Sequence, residues 1–371
     1  MAQVPVTRAM AARKFAVGVA ALMAPWAADA QQNAVTLYGV VDLSIAGFST
    51  QERGTAINMQ SGVQSGSRWG LRGSEDLGNG LRANFQLESG FLANNGNSAQ
   101  GRRLFGRAAW VGVSGGFGDL RLGRQTSVSS ATLADYDAFL ASYLITGAQT
   151  ALLPYNANRA DNTVSYWSPS VGGLRAGVDA SMDYDGGGGF KTASTNKLYS
   201  AAVVFDQPGY SIAATYEGAS WADGTVQSAA MANAGADRQP YAYTLAGRAT
   251  VDAFTLYAGW SVMRNGSTIP AVPSPGQRVY FPGSTVHGVM AGAAWRTGAS
   301  TVMASWQGSL PGGGALERDG ATHSQQINSA GYVYDLSKRT NVYAIYGYMR
   351  GAWDDPSWHQ SQYAVGMRHR F

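Results

Sequence analysis

Hydrophobicity that alternates with period two, in stretches of about ten residues, recurs from Val35 to the last residue and constrains this chain more than any other feature. Val35, Leu37, Gly39, Val41, Leu43 and Ile45 fall on one face of an extended segment, and Thr36, Tyr38, Val40, Asp42 and Ser44 fall on the other. The same pattern returns at Leu81 to Leu87, Leu174 to Met182, Phe254 to Val262 and Tyr363 to Phe371. Strands of soluble proteins usually run about 5 to 6 residues, whereas a tilted strand that crosses a bilayer needs about 9 to 11. The segments have the second length.

Connections alternate between short and long. Short ones fall at 75–80, 115–118, 171–173, 207–209, 251–253, 297–298 and 335–340; long ones fall near 49–66, 92–102, 126–158, 185–195, 220–238, 265–283, 310–323 and 352–361. Seven turns and eight loops separate sixteen strands. Tight turns on one rim and long polar loops on the other suit an outer-membrane barrel, and an open sheet edge in lipid would leave backbone groups unpaired. The expected fold is all-β: a 16-stranded antiparallel transmembrane β-barrel. Alternation alone also fits a soluble β protein. Strand length, a terminal aromatic and aromatic residues near strand ends (Trp69, Trp110, Trp167, Tyr210, Tyr241, Phe254) favour the membrane, where such rings settle at the water–lipid boundary.

Residues 1–30 read as a signal peptide, with Arg8, Arg13 and Lys14 before an apolar run and Ala28-Asp29-Ala30 as the cleavage pattern. Residues 31–371 then form a single barrel domain. Removing the leader takes away three of the 27 basic and one of the 23 acidic residues and leaves a net charge of about +2, which is no footprint for nucleic acid. The chain has no cysteine and therefore no disulfide framework. His287, His323, His359 and His369 lack metal-ligand spacing, and no nucleophile, base and orienting group form a motif. Neither an enzyme nor a metal or cofactor site is expected.

The segments "VTLYGVVDLSI", "SRWGLRGSEDLGNGLRANFQLESGF", "GRAAWVGVSGGFGDLRLGRQ", "NRADNTVSYWSPSVGGL" and "YAVGMRHRF" together resemble the Gram-negative general porins, most closely those of the β-proteobacterial type. The resemblance implies a homotrimer of barrels in outer-membrane lipid, each with a water-filled pore narrowed by an inward-folded third loop. It also implies passage of ions and small hydrophilic solutes, and a final strand ending in Phe371 that the barrel assembly machinery reads.

The third long loop, 126–158, far exceeds the length of about 12 to 15 residues above which loops are usually functional or disordered. Leu133, Tyr136, Phe139, Leu140, Tyr143, Leu144, Ile145, Leu152 and Leu153 call for burial, and the lumen is the place available. If Trp69, Leu71, Phe85 and Leu87 face lipid, Arg68, Arg72 and Arg82 face the lumen. The same parity is expected to turn Ala108 and Trp110 outward and Arg107 inward. By position, the porin pattern carries a constriction over to Arg68, Arg107 and Arg159, facing Asp135 and Asp137 on the loop, although either carboxylate could instead turn to the wall. Arg72 and Arg82 are further lumen cations, either solvated or paired with Glu75 and Glu88. Arg124 shares the face of Leu120 and Leu122, so a bulge turns it inward or it meets a partner at the trimer interface. The resemblance implies a general diffusion channel, and the balance of three wall arginines against two loop aspartates predicts weak anion preference. A solute-specific channel is the alternative, although the inward candidates Tyr38, Tyr199 and Tyr257 form no evident ladder.

Overall fold

The computed structural model describes residues 34–50, 54–143, 146–147, 159–184, 186, 194–233, 235–236, 239–265, 283–314, 324–351 and 356–371. The expected signal peptide lies outside them, as do Leu144, Ile145, Leu152 and Leu153. Seventeen strands appear in order: β1 (Ala34–Thr50), β2 (Gly54–Ser61), β3 (Arg68–Gly78), β4 (Leu81–Gly90), β5 (Ala108–Gly115), β6 (Gly118–Thr126), β7 (Arg159–Trp167), β8 (Leu174–Ser181), β9 (Lys197–Gln207), β10 (Tyr210–Ser220), β11 (Tyr241–Val251), β12 (Phe254–Arg264), β13 (Ser284–Thr297), β14 (Ser300–Gly314), β15 (Gln325–Asp335), β16 (Thr340–Arg350) and β17 (His359–Arg370). Two short helices, α1 (Val128–Leu133) and α2 (Val226–Asn233), belong to the long connections.

The strands pair antiparallel, each from β3 onward with the next, and β17 returns to β1 with Val40 opposite Arg370 and Thr50 opposite Gln360. That pairing closes the sheet and removes both edges, which lipid requires. Two segments share one place in the wall. The first half of β1 pairs with β3 (Ala34 to Ser74, Val40 to Arg68), and its second half pairs with β2 (Leu43 to Ser61, Thr50 to Gly54). The closed barrel is therefore sixteen-stranded, as the spacing of turns and loops predicted.

The long connection expected over 49–66 is corrected by the same pairing: most of it is strand, and the break falls at 62–67, between β2 and β3. Gly62, at φ +74°, starts the break in a conformation that a side chain would strain.

Polarity is inverted relative to a soluble core. Val35, Leu37 and Ile45 on the outer face of β1 are about 60% exposed, while Asp42, Ser44, Ser165, Asp179, Glu217 and Gln307 on the inner faces are buried. Apolar outside and polar inside is the arrangement of a barrel solvated by lipid around an aqueous lumen. Phe371 exchanges both backbone hydrogen bonds with Gly39 at 3.1 Å, and its ring lies on the outer face over that glycine.

Candidate functional site

The third loop leaves β6 at Thr126 and is fastened at once to the inner wall. Ser127 accepts from Ser130 N at 3.2 Å, capping α1, and donates to Glu217 Oε2 on β10 at 2.6 Å. Asp179 Oδ2 on β8 accepts from Val128 N and, at 2.8 Å, from Ser200 Oγ on β9. These two carboxylates meet the free N–H end of α1, where negative charge is favourable. The chain then makes a 3-10 turn, Ala134–Tyr136, and the Tyr136 hydroxyl hydrogen-bonds Ser211 Oγ on β10 at 2.6 Å.

Farther along, Phe139 and Tyr143 are buried against Met303, Val333, Tyr343 and Ile345 of β14, β15 and β16. Thr146 O accepts from Gln307 Nε2 at 2.8 Å and from Ser329 Oγ at 3.3 Å. A loop that touches the inner residues of β8 through β10 and then those of β14 through β16 lies inside the barrel. The burial expected of Leu133, Tyr136, Phe139 and Tyr143 is found; Leu140 instead is 53% exposed, at φ +52°.

The break at 62–67 supplies a second inward element. Val63 is fully buried, and its carbonyl accepts from Tyr143 N at 2.8 Å, while Gln64 O accepts from Ser142 Oγ at 2.9 Å. Asp42 fixes the break to the wall by accepting from Ser65 N at 2.5 Å and from the Tyr343 hydroxyl at 2.6 Å.

Against this lining stands a wall of arginines. Arg107 Nε lies 2.7 Å from Glu88 Oε1 and Arg68 Nε lies 3.6 Å from Glu88 Oε2, to which the Tyr38 hydroxyl also donates at 2.8 Å. Arg159 is in the electrostatic field of Arg107, Glu88, Arg124 and Arg68. Of the three arginines expected at a constriction, Arg68 and Arg107 contact Glu88, and Arg159 lies in the field of that group. Arg72 and Arg82 share the inner face: Arg72 lies over the Tyr38 ring at 5.1 Å, and Arg82 Nε donates to Ser74 Oγ at 3.0 Å.

Other assignments change. Asp137 is fully buried and accepts from Ala141 N at 3.0 Å, so it acts as a cap inside the loop and not as a charge in the pore. Asp135 is exposed and lines a recess that also contains Arg121, Arg175 and Arg248. Ala108 and Trp110 face the lumen, because they pair with Glu88 and Gln86, and Trp110 Nε1 donates to Gln86 Oε1 at 3.1 Å. Arg107 precedes β5, so strand parity does not govern it; it reaches the lumen from a bend. Trp167 also faces inward, whereas Tyr199 faces outward and stacks on Tyr216 at 6.2 Å.

Arg124 sits at a register shift between Gly123 and Gln125 and finds its partners within the chain: Asp161 Oδ1 at 2.6 Å and Gly106 O at 2.8 Å.

Sequence reading missed Arg121, Arg175 and Arg248. Each lies over an inward ring, Trp110 at 4.5 Å, Trp167 at 4.8 Å and Tyr136 at 5.8 Å respectively. The first two are diagonal cross-strand pairs, two residues from the position opposite the ring, and correct parity across the 115–118 and 168–173 turns would have found them.

The Gram-negative porin family model matches residues 16–352. An outer membrane porin protein of Bordetella pertussis is 34% identical, over 95% of this chain and 98% of its own length. The outer membrane porin protein 32 of Delftia acidovorans is 36% identical over 46% of this chain and 50% of its own. Among solved structures, the anion-selective porin from Comamonas acidovorans superposes with a TM-score of 0.72 at 23% identity, covering 92% of this chain and all of that one. This closed barrel, lined by polar groups and carrying its third loop inside, belongs to the Gram-negative porin family of the outer membrane.

Proposed function

We propose that the protein is a general diffusion channel for ions and small hydrophilic solutes, with weak anion preference, working as a homotrimer. One observation supports the preference: Arg68 and Arg107 share the carboxylate of Glu88, with Arg159 in the field of all three, while one of the two expected loop acids, Asp137, is buried as a cap. A unit charge about 5 Å from a permeating ion in water contributes roughly 0.8 kcal/mol, and salt reduces this further. Two uncancelled charges therefore bias ions by about tenfold at most, which is preference and not strict selection.

The Comamonas porin is anion-selective, and the outer membrane protein OmpT of Vibrio cholerae, which shares the fold, has been solved in a trimer form. Both agree with the reading. Export with loss of residues 1–30, a surrounding of outer-membrane lipid and recognition of the exposed C-terminal Phe371 by the barrel assembly machinery complete it.

The test is the reversal potential of single channels in a planar bilayer under a potassium chloride gradient. Conductance steps in threes with chloride favoured a few-fold are expected. Potassium preference would hand control of the throat to acids such as Asp135, and a bilayer that stays silent would overturn the channel.

A further inference from the structure

Beneath the third loop, toward the rim of short turns, the lumen opens into a recess of about 380 Å³ between the loop and the inner faces of β6 through β11. Gly118 and Ser168 of two short turns line it at the bottom, and Ala131, Thr132 and Asp135 of the loop line it at the top. It is thus separate from the cluster around Glu88.

Its charges are balanced in number, three arginines against three aspartates, but one pair is not available to a solute. Arg121 is taken by Asp119 through two parallel bonds, Nε to Oδ1 at 3.0 Å and Nη2 to Oδ2 at 2.7 Å. Such a bidentate pair leaves little capacity for a solute. Arg175 is held over the Trp167 ring at 4.8 Å and Arg248 over the Tyr136 ring at 5.8 Å, contacts that fix the guanidinium planes and leave N–H donors at their edges. On the acidic side, Asp135 is exposed, and Asp206 is 60% exposed, 3.9 Å from Arg248. Two cations and two anions, of which only Arg248 and Asp206 meet in a long, largely exposed ion pair, therefore line one recess that also contains Trp167. The recess is the size of small-molecule sites, about 300 Å³ and above.

We propose that this recess is a binding subsite for small zwitterions on the scale of a dipeptide, with the carboxylate on Arg175 and Arg248 and the ammonium on Asp135 and Asp206. A solute carrying one charge would satisfy one pair and leave the other with its like-signed neighbour. A dipolar solute satisfies both, and its short side chains lie against Trp167. The subsite does not depend on the sign of the ion preference.

The test is calorimetric titration of the refolded, detergent-solubilised protein at neutral pH and low salt, with conductance in potassium chloride measured on the same preparation. The probes are L-alanyl-L-alanine, its N-acetyl derivative, which keeps only the carboxylate, and its C-terminal amide, which keeps only the ammonium. The zwitterion is expected to bind at least threefold more tightly than either derivative. Arg175→Gln should erase its advantage over the amide, and Asp135→Asn its advantage over the N-acetyl form. Equal binding of the N-acetyl form and the zwitterion by the unaltered protein would overturn the proposal in favour of a plain anion site. Absence of binding by all three, with conductance intact, would overturn the subsite and leave the diffusion channel standing; binding without conductance would do the reverse.

Discussion

Glu88 accepts from Arg107 at 2.7 Å, and this one carboxylate is the counter-charge that Arg107 and Arg68 share. Its second oxygen takes the Tyr38 hydroxyl at 2.8 Å and faces Arg68 at 3.6 Å. Glu88→Gln keeps the shape and the hydrogen-bond acceptor but removes the charge. The chloride-to-potassium permeability ratio should rise by about two- to fourfold, within the range a unit charge at about 5 Å provides once salt screens it. Reversal potentials of the two proteins in the same salt gradient check this, and an unchanged ratio would place the permeating ions away from Glu88.

Asp135 and Asp137 lie two residues apart and should respond differently. Asp135 is exposed to the lumen, so Asp135→Asn should raise anion preference about twofold, by the same Coulomb argument. Asp137 is buried and caps Ala141 N, so Asp137→Ala should leave the reversal potential alone and loosen the loop by about 1 kcal/mol. Increased open-channel current noise in the second variant, and not in the first, is the expected signature.

The faces of the strands are legible in the sequence because the period of two is forced by backbone geometry, and lipid outside with water inside sorts Leu37 from Tyr38 without any knowledge of neighbours. Trp110 is misplaced by a parity counted from Arg107, which stands before the strand begins at Ala108; a bend between counted residues exchanges the two faces of everything beyond it. The inward break at 62–67 is not legible at all. It depends on Asp42 meeting Tyr343, 301 residues away, and no local pattern encodes a contact between the first strand and the sixteenth. The charge cluster at Glu88 lies between these cases: position in the family pattern indicates Arg68, Arg107 and Arg159, but only the fold reveals that Asp137 turns away from them.

Gly39 is the place where the end of the chain meets its beginning. A Cβ built there would overlap Cζ of the Phe371 ring, so any side chain must push the ring aside. Gly39→Val should therefore weaken the closing seam by about 1 to 3 kcal/mol, the usual cost of overpacking. The temperature at which the folded form converts to the unfolded one on a semi-native gel should fall. Phe371→Ala added to Gly39→Val should recover part of the loss, because the clash is gone, and a double variant as unstable as the sum of the two singles would deny the contact.

Asp161 receives Arg124 at 2.6 Å and Arg103 at 2.5 Å, binding the connection after β4 and the end of β6 to the start of β7. Arg124 and Asp161 are mostly withdrawn from solvent, with side-chain exposures of 16% and 13%. Breaking a buried pair from one side leaves a charge without its partner and typically costs about 3 to 5 kcal/mol; here Arg103 remains, so a loss of about 2 kcal/mol is expected for Arg124→Ala. Asp161→Asn in the same chain should restore none of it, because the carboxylate left by Arg124→Ala is still paired with Arg103 and its loss would leave that arginine without a partner. The trimer should persist in both variants under mild heating, because the arginine is satisfied within its own chain. Dissociation into folded monomers by Arg124→Ala, with the barrel itself as heat-resistant as before, would instead place Arg124 at a contact between subunits.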